Sequence, residues 1–170
     1  PDLTYENFLN FHSTYYHPSN SYIYLYGNMD MEEKLAFLDE HYLSHFDYLD
    51  VDSVIQEQKA FGACRDVTLE YPVAENEGEE DNTYLSYNMV VGNAADSQMA
   101  MAFEVLDYAL LSAPGAPLKQ ALLDVKAGKD VYGSYDDGIL QPYFTVIAKG
   151  SNPDRKEEFV SVIRQVLGDI

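Results

Sequence analysis

Aromatic and apolar positions recur at helical spacing from the first residues. Tyr5, Phe8, Leu9, His12, Tyr15 and Tyr16 follow Thr4, a residue suited to an N-cap, and the run stops at Pro18. Residues 21–27, Ser-Tyr-Ile-Tyr-Leu-Tyr-Gly, are apolar or aromatic on both faces, which predicts a strand covered on both sides. Gly27-Asn28-Met29-Asp30 then turns the chain into a second helix. Asp30 and Glu33 have capping-box spacing, Met31, Leu35, Leu38 and Tyr42 share one face, and the helix is expected to end near residues 43–46.

From Leu49 to Arg65 the periodicity fades into a connector, and Val67–Tyr71 alternates as a short strand stopped by Pro72. Residues 74–81 carry Glu75, Glu77, Glu79, Glu80 and Asp81 without a base, so they read as a solvated loop. Thr83–Val91 alternates as a strand. Asp96 caps a helix through Ala100, Phe103, Leu106 and Leu110, which ends before Pro114-Gly115. Pro117 suits the first turn of a short helix over 118–126. Strands 131–136 and 142–149 flank Asp136-Asp137-Gly138, a hairpin signal, and Asn152-Pro153-Asp154 opens a last helix facing inward with Phe159, Ile163 and Val166 or Leu167. The pattern predicts an α+β fold, with helices packed on one face of a mixed, largely antiparallel sheet.

Composition narrows the classes. Hydrophobic residues at 46% and aromatics at 14% exceed what a disordered chain carries. Twenty-nine acidic residues against ten basic ones give a formal net charge of -19, a field that repels nucleic acid and anionic membranes and favours basic peptides. Neither nucleic acid nor membrane is therefore an expected partner. A single cysteine, Cys64, excludes an internal disulfide framework and a cysteine-based zinc site. Pro1 opens the chain directly inside a helix signal, which predicts an excised fragment.

Chemistry-bearing residues are few. His41 and His45 stand four apart, a spacing that places two imidazoles on one helix face and suits a zinc pair. Between them lie Tyr42, Leu43 and Ser44, so the base glutamate that a zincin helix needs is missing, and a histidine at a helix C-terminus is favoured by the dipole alone. Both are weak metal candidates read as structural. His12 reads as a core or interface histidine and His17 as a local hydrogen-bonding residue. Gly133-Ser134-Tyr135 lacks the second glycine of a nucleophile elbow, and Cys64 has only Arg65 beside it. No catalytic residue is assigned. Fifteen tyrosines, five of them within residues 15–26, suit surfaces where one element meets another or a peptide.

The order Leu3-Thr4-Tyr5-Glu6-Asn7-Phe8, then Tyr15-Tyr16-His17-Pro18-Ser19-Asn20-Ser21-Tyr22-Ile23-Tyr24-Leu25-Tyr26-Gly27-Asn28-Met29-Asp30, resembles a boundary in the pitrilysin/insulinase family of zinc metallopeptidases, and within it the presequence-protease branch. Ala113-Pro114-Gly115-Ala116-Pro117-Leu118-Lys119-Gln120-Ala121-Leu122 and Gly128-Lys129-Asp130-Val131 are similar to later pieces of that branch's N-terminal half. The resemblance implies a LuxS/processing-peptidase-like fold in three parts. Residues 1–48 would be an α-β-α unit ending the first domain, 49–81 a connector with one strand and an acidic loop, and 82–170 an α+β unit of the inactive second domain.

The same resemblance implies a parent of two halves enclosing a chamber. Zinc would be held by an inverted His-x-x-Glu-His helix and a distal glutamate, none of which this chain contains. Zinc is thus implied for the parent and no cofactor for the fragment, which would be a non-catalytic piece of chamber wall in a peptide-degrading enzyme. Its partners would be the parent's remaining domains and the parent's peptide substrate, with a homodimer expected of the fragment itself. The location implied is the bacterial cytoplasm. Lys126 and Tyr132, six apart, stand where the family's other half carries an arginine and a tyrosine that assist substrate binding. Lysine lacks the guanidinium's bidentate geometry, so the pair reads as a substrate-contact candidate with a structural alternative. The competing reading is a stand-alone interaction or scaffold protein that retains the fold without peptidase activity.

Overall fold

A computed structural model describes residues 3–74 and 78–170. Residues 75–77, the centre of the expected acidic loop, lie outside the described residues. The chain divides into two units, Pro1–Gln56 and Glu57–Ile170.

In the first unit, α1 spans Tyr5–Tyr15 and α2 spans Met31–His41. Both begin where the sequence places them. Thr4 Oγ1 accepts from Asn7 N at 3.1 Å, and Asp30 Oδ1 accepts from Glu33 N at 3.1 Å, so each cap satisfies one orphan amide of its helix. The Tyr15–Ser21 join organises the unit. His17 Nδ1 accepts from Ser19 N, Ser19 Oγ accepts from Leu49 N, and the Asn20 side chain donates to Tyr15 O and accepts from Ser53 Oγ. The Phe46 ring meets His17 edge-on at 5.4 Å.

The expected strand at residues 21–27 is a correction. Residues 21–26 belong to no ladder, because the described residues of this unit contain no second strand to receive their amides and carbonyls. Nor is it covered: Tyr22, Ile23, Tyr24 and Tyr26 are all exposed, and the Tyr24 and Tyr26 rings stack on each other at 6.4 Å. None of the described residues of this unit is buried.

The second unit is an α+β body whose helices cover one face of an antiparallel three-stranded sheet. Its elements are β1 (Thr83–Val90), α3 (Ser97–Asp107), α4 (Pro117–Asp124), β2 (Asp130–Asp136), β3 (Tyr143–Ser151) and α5 (Lys156–Gly168). Strand order is β1-β3-β2 with both ladders antiparallel, so β3 is central and β1 and β2 are edges. β2 and β3 are the hairpin that Asp136-Asp137-Gly138 predicts. Asp136 Oδ1 accepts from Gly138 N at 3.0 Å, and its Oδ2 accepts from the Tyr143 hydroxyl at 3.0 Å.

Strand alternation sorts the sheet into rows. Leu85–Ala148–Val131, Tyr87–Val146–Gly133 and Met89–Phe144–Tyr135 lie across the inner face. Against them pack Leu110, Leu111, Leu118, Leu122, Phe159 and Ile163, all buried. Each such side chain contributes about 1.5–3 kcal/mol by leaving water. Asp96 caps α3 through Met99 N, and past Asp107 the helix widens to a π turn over Tyr108–Ser112 that carries Leu110 and Leu111 inward. Gly133 permits that approach: a Cβ there would collide with Thr145 O and with the Leu111 side chain. Residues 57–74 also belong to this unit and form neither helix nor ladder.

Candidate functional site

The sheet face away from the helices carries one of the sequence candidates, Tyr132. Its rows run Tyr84–Lys149–Asp130, Ser86–Ile147–Tyr132, Asn88–Thr145–Ser134 and Val90–Tyr143–Asp136. A polar row crosses the middle, where the Thr145 hydroxyl donates to Asn88 Oδ1 and Asn88 Nδ2 donates to Ser86 Oγ at 2.8 Å. Aromatic rings flank it. Lys149 Nζ lies 5.9 Å from the centre of the Tyr84 ring. The Asp136 carboxylate, as hydrogen-bond acceptor and nearby negative charge, pushes the Tyr143 phenol above its ordinary pKa. Burial pushes the Tyr135 phenol up as well, with smaller contributions from the charges of Asp137, Glu104 and Asp96. Neither phenol is thereby prepared to act as a base at neutral pH.

Tyr132 sits on this open face, in the row with Ile147. Lys126 is elsewhere in kind. It follows α4 with φ +54°, Ala127 N donates to Leu122 O, and Lys126 N donates to Leu123 O, the two bonds of a Schellman cap. Lysine therefore occupies a left-handed position that glycine takes at lower cost. Arg155, which the sequence reading passed over, completes this turn. Its Nη2 donates to Val125 O at 2.9 Å and its Nη1 to Glu158 Oε2 at 2.7 Å. No local pattern ties Arg155 to a helix end some thirty residues earlier, so only the folded chain reveals the contact. Lys126 thus lies in the turn that closes α4, and Tyr132 is exposed on the open sheet face.

His41 is the last residue of α2, its ring 4.5 Å from that of Phe37, whereas His45 closes a separate 3₁₀ turn over Leu43–His45. The helix ends between them, so the spacing of four no longer aligns the two rings on one helical face. Among the described residues no three His, Cys, Asp or Glu side chains gather as a metal site, so these residues do not fit a zinc ion. His12 is exposed and stacked on Tyr16 at 4.6 Å, rather than in a core. Cys64 is exposed, and the neighbouring Arg65 guanidinium lies over the Phe61 ring at 4.0 Å.

Two carboxylates show opposite environments. Asp81, in a left-handed turn, accepts from Asn152 Nδ2 while its own amide donates to Asn152 Oδ1, both at 2.8 Å, and Lys129 Nζ stands 3.2 Å away. Those partners, Asn152 first, hold its carboxyl below the usual range. Asp107, at the start of the π turn, has a buried Oδ1 with no partner among the described residues, and burial pushes its carboxyl up. A cleft between residue 66 and α5 is lined by Asp66, Lys156, Glu157, Val160, Ser161 and Arg164, and Lys156 pairs with Asp66 across it. Among the described residues no helix is long and apolar enough to cross a membrane.

The family described as the peptidase M16 inactive domain matches residues 2–170. Protein HypA of Clostridium perfringens is 45% identical over 170 residues, covering 100% of this chain and 18% of that protein. The mitochondrial presequence protease of Xenopus laevis is 29% identical, covering 100% of this chain and 17% of its own length. Presequence protease 1 of Arabidopsis thaliana, chloroplastic/mitochondrial, is 32% identical, covering 98% of this chain and 16% of its own. The chain thus spans between 16% and 18% of the length of these relatives. The chain belongs to the peptidase M16 family, as a member of its inactive-domain group.

Proposed function

We propose that this chain is a non-catalytic part of a longer zinc metalloendopeptidase that degrades peptides, and that it forms part of the wall of the chamber in which they are cut. The observation that carries the reading is the match of residues 2–170 to a domain described as inactive, together with full-length similarity to proteins named as proteases of which this chain would be about a sixth. The first unit supports it. Two eleven-residue helices and a run of tyrosines without one buried side chain have the composition of a core whose other side is elsewhere.

In this reading zinc and its activated water belong to residues outside these 170. The wall contributes by confinement and by uniform binding of peptide, which lowers the apparent Michaelis constant without accelerating the chemical step. The open sheet face, with Tyr132, Tyr84, Asn88 and Ser134 exposed, offers rings and hydrogen-bonding groups to an extended peptide, and the strong negative charge favours basic ones. A bacterial cytoplasmic location is part of the same reading, since the 45% identical relative is bacterial. Taken alone, the chain can cover residues 21–26 with a second copy, so it is expected to self-associate more strongly as salt screens its charge.

The test compares the product of the complete gene with the 170-residue chain, using an unstructured fluorogenic peptide, with and without a chelator. The complete protein is expected to cleave in a chelator-sensitive manner, while the chain alone neither cleaves nor takes up zinc in a calorimetric titration. A complete protein without peptidase activity would replace this reading with the scaffold. Cleavage by the chain alone would overturn its non-catalytic assignment.

A further inference from the structure

The segment Val67–Tyr71 alternates Val67, Leu69 and Tyr71 with Thr68 and Glu70, as a strand does, yet it joins no ladder. Its apolar side chains gain nothing where they stand: Val67 is 72% exposed and Leu69 84%. Nearby, β1 is an edge strand whose outward amides and carbonyls have no strand partner among the described residues. An unpaired strand pattern and an unpaired strand edge therefore lie in the same unit.

The chain that carries the segment is tied near both ends of β1. At one end the Gln141 side chain accepts from Gln58 N at 2.7 Å and donates to Gln58 O at 3.1 Å. Asn93, just past β1, donates to Glu57 at 2.6 Å. Both attachments are at the Val90 end of the sheet, where Val91 N donates to Pro142 O. At the other end the Tyr71 hydroxyl donates to Asn82 O, and its ring meets the Tyr84 ring edge-on at 5.9 Å. The chain from Gln58 to Tyr71 thus runs from the Val90 end to the Thr83 end, antiparallel to β1. β3 has both sides occupied, so β1 offers the free edge at the point where Tyr71 is held.

We propose that Val67–Tyr71 is a strap that closes onto β1 as a fourth, antiparallel strand. Keeping Tyr71 against Tyr84 sets the register, with Leu69 opposite Ser86 and Val67 opposite Asn88. In that register the three apolar side chains stand on the sheet face away from the helices, beside the row that contains Ile147 and Tyr132. Closure pairs the outward backbone groups of β1 and reduces its availability to another chain. Pro72 falls just beyond the paired stretch, where its missing amide costs nothing. The strap is independent of the peptidase reading, since it concerns only groups within this unit.

Amide exchange and a cross-link test it in the complete protein. With the strap closed, the β1 amides that do not donate to β3 exchange roughly tenfold more slowly than in a Leu69→Pro variant, which cannot hold the ladder. In a Cys64→Ser background, Leu69→Cys with Ser86→Cys forms a disulfide within one chain on mild oxidation, because directly opposed strand residues have Cα atoms about 4.5–5.5 Å apart. Thr68→Cys with Ser86→Cys, one residue out of register, does not. Equal exchange in wild type and Leu69→Pro, no cross-link in the in-register pair, or a cross-link joining two chains would each overturn the strap.

Discussion

Phe8 and Phe159 occupy similar positions on similar helices. Each lies on the apolar stripe near the start of an amphipathic helix, in α1 of eleven residues and α5 of thirteen. Phe8 is 54% exposed and Phe159 1%. The helix signal in the sequence is equally good for both, and what differs is the partner. α5 has a sheet face to lie on, with Ala148, Val146 and Leu85 beneath the helix layer, whereas no described residue of α1's unit is buried. The comparison teaches that periodicity specifies an element and the face it wants to bury, while burial itself depends on what chain is available to receive that face.

The largest expected effect is on independent folding. Residues 57–170 expressed alone should give one cooperative thermal transition, and residues 1–56 alone should give none, since helices of eleven residues without tertiary packing are marginal in water. Limited proteolysis of the whole chain should accordingly cut between Leu49 and Arg65 before it cuts anywhere in 96–126. Circular dichroism melts and mapped first cleavages check the two statements. A cooperative transition in residues 1–56 would erase the contrast between the units.

The next effect separates the two kinds of apolar position. Gly133→Ala forces a methyl group against Thr145 O and Leu111, with a destabilisation of about 1–3 kcal/mol from overpacking. Phe8→Ala in the 170-residue chain should change stability by less than about 0.5 kcal/mol, as surface substitutions do. In the complete protein the same Phe8→Ala change should cost about 3–5 kcal/mol, if the rest of the molecule covers α1. Denaturant unfolding of the two variants, with Phe8→Ala in both settings, measures this. A Phe8→Ala cost that is equally small in both settings would mean that the first unit is bare by design.

Most of the helix starts and the hairpin in both units were legible because their signals are local. The caps at Thr4, Asp30 and Asp96, the proline at the start of α4, and the Asp136-Asp137-Gly138 turn all act through backbone groups within a few residues. Pairing is not local. Tyr22–Tyr26 has the composition of a buried strand, but a strand exists only with a neighbour, and that information lies outside its own residues. The same reason hides the Arg155 bond to Val125 and the clash that makes Gly133 necessary. His41 and His45 mislead differently: a spacing of four means one helical face only while the helix lasts, and here it ends between them.

The smallest effect probes a flaw within the well-packed unit. Asp107 Oδ1 is buried without a partner where α3 gives way to the π turn, and burial raises its carboxyl pKa. A folded-state pKa above the unfolded value means that the folded state binds the proton more tightly, so stability falls as pH rises from the unfolded value of 3.8 through the raised folded one. At neutral pH the native state therefore carries a desolvated charge that Asp107→Asn removes. The variant should be more stable at pH 7 by about 1 kcal/mol, and the gain should shrink toward zero below the unfolded pKa, where Asp107 is protonated in both states. Asp81 has the opposite sign. Its lowered pKa gives a contribution present above the unfolded value and lost as pH falls through the folded one, so Asp81→Asn should destabilise at pH 7 and converge on wild type in acid. Urea midpoints across pH 3–7 for the two variants should thus diverge in opposite directions from wild type as pH rises. If the two curves moved together, the environments of the two carboxylates would not differ as the unpartnered oxygen and the Asn152 clamp require.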